Sequence, residues 1–122
     1  MRNQFAALLA AVAPGYPPAS DKVGMSNGAV QGVRYRIYTP KTAKATNPLP
    51  LGVFMHGGGF ILGDLDAEDV LCRAFSEEAD TILVSVDYCL APEHEHPAQL
   101  KDTLTVVEWV GPAIGVPFYL SN

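Results

Sequence analysis

The sequence predicts an α/β fold, because short apolar runs typical of buried strands alternate with segments of helical periodicity. The apolar runs are residues 51–55 and 81–86, and the helical segments that follow them are residues 66–79 and 97–110. Strand, helix, strand, helix in this order is typical of βαβ units with parallel strands. The chain of 122 residues corresponds to one domain at most.

The first 20 residues predict a short helix and a proline-rich linker. Residues 5–13 are apolar, and Pro14-Gly15 ends the run. A signal peptide is a weaker interpretation, since only Arg2 precedes the run and a proline follows its small-residue end. We therefore expect a cytoplasmic protein, and no apolar run in the sequence approaches the ~20 residues of a membrane span.

A β-hairpin is predicted next. Residues 23–26 lead into Asn27-Gly28, a dipeptide that accepts positive φ at both central positions of a tight turn. Residues 33–38 then alternate apolar or aromatic side chains with basic ones, which is the period of a half-exposed strand. Thr39-Pro40 is expected to end this strand, and residues 41–50 to form a loop.

Both helical segments carry boundary signals. Asp66 is placed to cap the first one, and Pro97 suits the first position of the second, which Gly111-Pro112 should end. The residues expected to share a face are Val70, Leu71, Ala74, Phe75 and Ala79 in the first helix, and Leu100, Leu104 and Val107 in the second. The chain thus divides into residues 1–20, residues 21–111 and an irregular tail, 112–122.

Composition excludes several classes of partner. A net charge of −5 without basic clusters offers no electrostatic footprint for nucleic acid or for an anionic membrane surface. Cys72 and Cys89 are too few for a disulfide scaffold and lack C-x-x-C spacing. We expect both to be small apolar side chains in a reducing compartment.

The segment that carries chemistry is His56-Gly57-Gly58-Gly59-Phe60, directly after the first buried strand. Consecutive glycines let a backbone approach a ligand closely and turn its N–H groups into a cavity, where they can stabilise an oxyanion. A dinucleotide loop is an alternative, but Gly57, Gly59 and Gly63 miss the G-x-G-x-x-G spacing by one residue. A tight turn without a ligand is the other alternative.

A second motif, Asp87-Tyr88-Cys89-Leu90-Ala91-Pro92-Glu93, follows the second buried strand. Together with the glycine motif, Gly63-Asp64 and the proline-initiated helix, it resembles the hormone-sensitive-lipase-like esterases of the α/β-hydrolase superfamily. The resemblance covers roughly residues 30–110 and corresponds to the N-terminal part of that fold. The expected architecture is therefore an incomplete α/β-hydrolase fold: N-terminal helix, hairpin, then βαβα.

The resemblance implies a role for each residue of the two motifs. The backbone N–H groups of Gly58 and Gly59 would bind the oxyanion, and His56 and Gly57 would set the shape of the loop. The residues of the supporting loop would be Asp87, Tyr88 and Glu93. The N-terminal helix resembles the cap that closes over the acyl pocket in this family. The implied partner is a small-molecule ester, and no cofactor is implied.

The chain departs from the family in two ways. The family usually has arginine where this chain has Cys89, and a thiol is a weak hydrogen-bond donor. The family's G-x-S-x-G nucleophile elbow should follow a further strand after residue 110, and its acid and histidine come later still. Residues 24–28 match G-x-S-x-G literally, but they precede an alternating strand and not a helix, so we expect no role for Ser26.

Ester hydrolysis by the complete protein, with the isolated chain inactive, is therefore the leading hypothesis. A non-catalytic product is the alternative, since the family also resembles the plant gibberellin receptors, which bind a ligand in the esterase pocket. A parallel sheet with only two such strands would leave an apolar edge through which chains can associate. We expect no metal site in Glu93-His94-Glu95-His96, because neighbouring side chains of an extended segment point in opposite directions.

Overall fold

A computed structural model describes residues 1–16, 18–41 and 49–115. Helix α1 (Arg2–Val12) is followed by a 3₁₀ turn at Ala13–Gly15. The remaining elements are β1 (Val23–Val30), β2 (Val33–Pro40), β3 (Leu51–Met55), α2 (Asp69–Ala79), β4 (Ile82–Asp87) and α3 (Ala98–Ala113). The predicted succession of helix, hairpin and βαβα is confirmed.

The four strands form one mixed sheet in the order β1-β2-β4-β3. Strand β3 runs parallel to β4, whereas β2 is antiparallel to both β1 and β4. The α2 segment is the crossover that makes β3 and β4 parallel, as predicted. Because parallel strands point the same way, the loops that follow β3 and β4 emerge at the same edge of the sheet, and these loops carry the two motifs.

The hairpin turn lies at Gln31-Gly32, so the prediction of a turn at Asn27-Gly28 is wrong. Gln31 and Gly32 have φ values of 50° and 80°, and Val30 pairs with Val33 across a two-residue connection. Asn27 lies inside β1, where its side chain accepts a hydrogen bond of 2.8 Å from Arg36 Nε. Gly28 also lies within the strand, and the ring of Tyr35 occupies the space where its side chain would be.

The core has two layers, one on each face of the sheet. On one face, Val84 and Val86 of β4 pack against Val106 and Val110 of α3. On the other face, Tyr38 and Leu83 pack against Cys72 of α2. This arrangement follows from the alternation of side chains along β2 and β4, which sends consecutive residues to opposite layers.

The predicted apolar stripe of α2 is not its packed face. The buried residues of this helix are Cys72 and Ser76, whereas Leu71 is 45% exposed and Phe75 is 50% exposed. Ser76 donates a hydrogen bond to Thr81 O, so a polar residue is satisfied within the core. In α3 the predicted face is correct for Val107 and wrong for Leu100, which is exposed.

Both predicted helix boundaries shift. Helix α2 starts at Asp69 and not at residue 66, and Asp66 does not cap it; Asp64 accepts hydrogen bonds from the N–H groups of Asp66 and Ala67. Helix α3 continues through Gly111-Pro112 to Ala113. A proline lacking one hydrogen bond is tolerated there because it lies in the last helical turn. The rest of the expected irregular tail, residues 116–122, lies outside the described residues.

Strand β3 is less covered than a strand buried on both faces. Val53 is 42% exposed, and the other residues of β3 are half-buried. Within the described residues, nothing pairs with the outer edge of β3. In the same ranges, no helix has both the length and the apolar character needed to cross a bilayer.

Candidate functional site

The glycine motif forms a tight loop at the carboxyl end of β3. Gly58 and Gly59 have φ values of 127° and 63°, and the next residue, Phe60, has φ 64°. Gly58 also has no room for a side chain, since a Cβ atom would lie 2.2 Å from the carbonyl oxygen of Leu62. The loop closes on itself through the N–H groups of Ile61 and Leu62, which both donate to Gly58 O at 3.1 Å.

His56 is the anchor of this loop. Its side chain is only 3% exposed and stacks on Tyr88, with ring centroids 4.2 Å apart. The Nδ1 atom lies 3.0 Å from Gly57 O, which can only accept, so Nδ1 is the donor of this pair. Tyr88 in turn donates its hydroxyl proton to the carbonyl oxygen of His56. These contacts fix the start of the loop against the loop that follows β4.

Tyr88 is held in its protonated form. Burial raises the pKa of its hydroxyl, and the negative charge of Glu68 raises it further. The raised pKa extends the alkaline range over which the phenol keeps its proton and remains a donor to His56 O.

Gly63 closes the pocket around His56. A Cβ atom at Gly63 would lie 2.3 Å from His56 Nδ1 and 2.7 Å from Gly57 O, and its φ is 101°. Only glycine fits at this point, which explains the Gly-Asp pair that follows the glycine motif in the sequence. Asp64 then turns the chain toward α2 by accepting two backbone hydrogen bonds.

The three glycines after His56 differ in what their N–H groups meet. The Gly57 N–H donates to Glu68 Oε2 at 3.1 Å. Among the described residues, no acceptor meets the N–H of Gly58 or of Gly59. Two unpaired main-chain donors in adjacent positions are what an oxyanion site requires.

The loop after β4 is joined directly to the glycine loop. The N–H of Ala91 donates to Phe60 O at 2.8 Å. Arg2 of α1 bridges the same two loops, since its guanidinium donates to Ile61 O at 2.9 Å and to Ala91 O at 2.6 Å. It also forms two hydrogen bonds with the carboxylate of Glu93, at 2.9 and 2.7 Å. Helix α1 is thereby attached to both motifs.

Of the three residues expected to support the glycine loop, only Tyr88 touches it. Asp87 forms an ion pair with Arg34 of β2, and Glu93 reaches the loop through Arg2. Cys89 is half-buried, and its N–H donates to Asp102 of α3 at 2.9 Å. Burial and the neighbouring Asp102 carboxylate raise the pKa of the Cys89 thiol, which makes it less reactive.

The structure also shows the surroundings of Ser26, of the possible dinucleotide loop and of residues 93–96. Ser26 lies in the middle of β1, paired with Ile37, and not at a strand-to-helix turn. Helix α2 begins at Asp69, ten residues after Gly59, and the Glu68 carboxylate lies at its start, where it would repel a pyrophosphate. In the stretch 93–96, Glu93 pairs with Arg2, and no group of three or more metal-ligating side chains converges anywhere in the described ranges.

Sequence reasoning missed three residues that hold the site together: Arg2, Glu68 and Asp102. Glu68 lies 11 residues and Asp102 lies 13 residues from the main-chain N–H that it bonds. Arg2 bonds two main-chain carbonyl groups, 59 and 89 residues away, besides the Glu93 carboxylate. Main-chain partners leave no trace in residue type, so the sequence carries no signal for these contacts.

A cavity of about 460 Å³ lies between α1 and the chain that leads into α2. Its α1 side is apolar and is formed by Ala6, Leu9 and Ala10, followed by Ala13 and Tyr16. The opposite side is formed by Asp64, Asp66, Ala67, Asp69 and Val70. Helix α1, which resembles the cap of the family, thus lies beside the segment that follows the glycine loop.

A family model for the α/β-hydrolase fold matches residues 52–114, more than half of the chain. The chain therefore belongs to the α/β-hydrolase family. It is 38% identical over 109 residues to versiconal hemiacetal acetate esterase of Dothistroma septosporum, covering 89% of this chain and 33% of that protein. It is 44% identical over 84 residues to esterase LipI of Mycobacterium tuberculosis, covering 69% of this chain and 26% of that protein.

Solved structures agree with the sequence relatives. An esterase from Pyrobaculum calidifontis superposes with a TM-score of 0.77 at 32% identity, over 93% of this chain and 37% of that one. The expected resemblance to hormone-sensitive-lipase-like esterases, restricted to the N-terminal part of their fold, is confirmed. The chain spans a quarter to a third of the length of these two curated relatives.

Proposed function

We propose that the protein containing this chain hydrolyses carboxylic esters, with the N–H groups of Gly58 and Gly59 as oxyanion donors. One observation carries the proposal: these two donors lie side by side at the carboxyl end of β3 without an acceptor among the described residues. In ester hydrolysis the carbonyl oxygen gains negative charge as the tetrahedral intermediate forms. Donors fixed in advance by the fold stabilise that charge without reorganising.

The other residues of the two motifs are proposed to act through the loop. His56 and Gly57 set its direction, and Tyr88 holds it by bonding the His56 carbonyl. Asp87 and Glu93 keep the supporting loop in place through their pairs with Arg34 and Arg2. None of these side chains is proposed to touch the substrate.

The nucleophile is proposed to lie outside this chain. The only G-x-S-x-G in the sequence is the one around Ser26, which lies within a strand of the hairpin. A serine elbow, an acid and a histidine must be supplied by further sequence, in that order. The 122-residue chain alone is therefore expected not to hydrolyse esters.

The substrate is proposed to be a small-molecule ester whose acyl part lies near α1. The α1 side of the cavity is apolar and suits an acyl chain, whereas the opposite side includes Asp64, Asp66 and Asp69. Arg2 attaches α1 to both loops of the site. The relatives described above are esterases by name.

The test compares the 122-residue chain with the longer product of the downstream coding sequence, using p-nitrophenyl butyrate. We expect no hydrolysis above background by the chain alone, and hydrolysis by a longer product that includes a serine elbow. In the active protein, Ser26→Ala should leave the rate unchanged. A longer product with an intact elbow that is inactive on short-acyl esters would contradict the proposal, as would a large loss of activity in Ser26→Ala.

Binding of a protein partner is a second candidate, supported by the outer edge of β3, which no strand of the described residues covers. An exposed strand edge can accept a further strand from another chain. Co-purification of the 122-residue chain with a complete esterase subunit, lost on substitution of Val53 by lysine, would favour this function.

A further inference from the structure

We propose that Glu68 is a positioning residue for the glycine loop, occupying the N–H of Gly57 so that the N–H groups of Gly58 and Gly59 remain the free pair. The inference deepens the proposed function and rests on it for its catalytic part. Its structural part stands independently, because the contact belongs to this chain.

The contact is close and specific. Glu68 Oε2 accepts the Gly57 N–H at 3.1 Å, and Oε1 lies 3.1 Å from the point where a Gly57 side chain would begin. Both carboxylate oxygens therefore lie close to the main chain of Gly57. A Cβ atom at position 57 would require the end of the Glu68 side chain to shift slightly.

The main chain that carries Glu68 is firmly held. It is the residue immediately before α2, and its own carbonyl accepts the N–H of Cys72 at 3.0 Å. The next residue, Asp69, is fixed by the hydroxyl of Tyr38 at 2.6 Å and by Arg73 Nε at 2.8 Å. A carboxylate delivered from this fixed main chain can hold the exposed N–H of Gly57 in one arrangement.

The hydrogen bond between Glu68 and Gly57 decides which N–H groups of the glycine loop are left for a ligand. In a run of three glycines the main chain has many accessible conformations, and an unpaired Gly57 N–H would be free to compete for the oxyanion. With that group bonded to Glu68, the loop has a fixed start at His56 and Gly57, and the N–H groups of Gly58 and Gly59 are the two that remain without an acceptor among the described residues. What positions the loop is the Glu68 oxygen that accepts the Gly57 N–H. The charge of Glu68 does not help, since a negative charge close to a developing oxyanion is unfavourable.

The acceptor and the charge can be separated by substitution. Glu68→Gln keeps an oxygen that accepts the Gly57 N–H and removes the charge, whereas Glu68→Ala removes both. Glu78→Ala is the matched control, because Glu78 lies on the exposed side of the same helix. Amide hydrogen exchange of Gly57, Gly58 and Gly59 is measured by NMR on the full chain, each rate divided by its open-chain value.

We expect the Gly57 amide of the wild type to exchange at least about tenfold more slowly than those of Gly58 and Gly59, the effect of one hydrogen bond to a charged acceptor. Glu68→Ala should remove this protection at Gly57, and Glu68→Gln and Glu78→Ala should retain it. A wild-type Gly57 amide as fast as that of Gly58, or protection unchanged in Glu68→Ala, overturns the proposal.

The catalytic part is tested in the active, longer protein. We expect Glu68→Ala to lower kcat about 10- to 100-fold with KM unchanged, as a misplaced donor would, and Glu68→Gln to restore the rate. Equal losses in both variants, or none in either, would refute positioning by the acceptor. If the wild type hydrolyses no ester, the proposed function fails while the exchange result still decides whether Glu68 holds the loop.

Discussion

At the scale of single residues, the two proposed donors respond differently to the smallest substitution. Gly58→Ala places a Cβ atom 2.2 Å from Leu62 O at a φ of 127°, whereas a Cβ atom at Gly59 meets nothing within 4 Å. We expect Gly58→Ala to lower kcat of the active protein by about 10²–10³, which is the effect of losing one oxyanion donor. Gly59→Ala should cost less, since only its φ of 63° is unfavourable.

The measurement is the hydrolysis rate at saturating ester, with Gly24→Ala as the control. Gly24 lies in β1, where an added Cβ makes ordinary contacts of 3.6 Å. If Gly59→Ala were as damaging as Gly58→Ala, the difference in steric room would not govern the loop, and this interpretation would be wrong.

The two cysteines give a second prediction at this scale. Burial raises the pKa of Cys72 to about 11, and burial and Asp102 raise that of Cys89. A raised pKa leaves less thiolate at pH 8, so alkylation slows. We expect iodoacetamide to label half-buried Cys89 slowly and buried Cys72 only after unfolding, with the modified sites identified by mass spectrometry.

Asp102→Asn should accelerate labelling of Cys89, because the substitution removes the negative charge that disfavours its thiolate. Asp21→Asn, at an exposed position, is the control and should change nothing. Rapid labelling of Cys72 in the native protein would show that α2 does not pack on the sheet as described.

The glycine loop could be singled out from the sequence, whereas its supporting contacts could not. A run of glycines after a buried strand has a direct physical meaning, and the oxyanion role of Gly58 and Gly59 stays a prediction. Arg2 bonds main-chain atoms 59 and 89 residues away, and Glu68 bonds one 11 residues away. Such contacts depend on the tertiary fold, because a main-chain partner leaves no trace in residue type.

At the scale of elements, the hydrogen bonds from α1 to the two loops come from one side chain. No residue of α1 is buried, and Arg2 supplies four hydrogen bonds to the two loops. Arg2→Gln should therefore loosen this helix selectively. We expect the amides of α1 to exchange about threefold to tenfold faster than in the wild type at pH 6, with the amides of β4 unchanged.

The difference in α1 amide exchange between the wild type and Arg2→Gln should depend on pH. The hydrogen bond from Arg2 lowers the pKa of Glu93 below its usual value, so the pair is fully formed above the usual carboxyl pKa of about 4.3 and is lost as the pH falls through the lowered value. As the pH falls through this lowered pKa, the difference between the wild type and Arg2→Gln should shrink to the part that comes from the bonds of Arg2 to Ile61 O and Ala91 O. A difference that stays constant from pH 6 to pH 3 would exclude the Glu93 carboxylate as its cause.

In β1 and in α2, tertiary contacts override the local signal of the sequence. Asn27-Gly28 is a strong turn signal, yet Asn27 bonds Arg36 and Gly28 makes room for Tyr35, so both residues belong to the sheet. In α2 the apolar stripe is exposed because the packed face is made by Cys72 and Ser76, whose small side chains let the helix approach the sheet closely. Strand β4 was predicted to within one residue because its apolar run is buried in the core.

At the scale of the whole molecule, the sheet places both motifs at one edge. Strands β3 and β4 run parallel and adjacent, so the glycine loop and the supporting loop meet at their carboxyl ends. This meeting could be predicted from the βαβ pattern alone. The same topology leaves β3 at the end of the described sheet, with Val53 exposed in its centre.

The open edge gives the last prediction, which concerns the 122-residue chain by itself. An apolar strand with unpaired N–H and C=O groups is a template for pairing with a second copy, and a charge in its centre discourages such pairing. We expect the isolated chain to self-associate at micromolar concentrations and Val53→Lys to shift it toward the monomer in sedimentation velocity. Leu8→Lys removes a similar exposed apolar group from α1 without touching β3, and it should leave the distribution unchanged. A monomeric wild type, or an equal effect of both substitutions, would show that the β3 edge does not drive association, and exposed apolar surface elsewhere would then be the place to look.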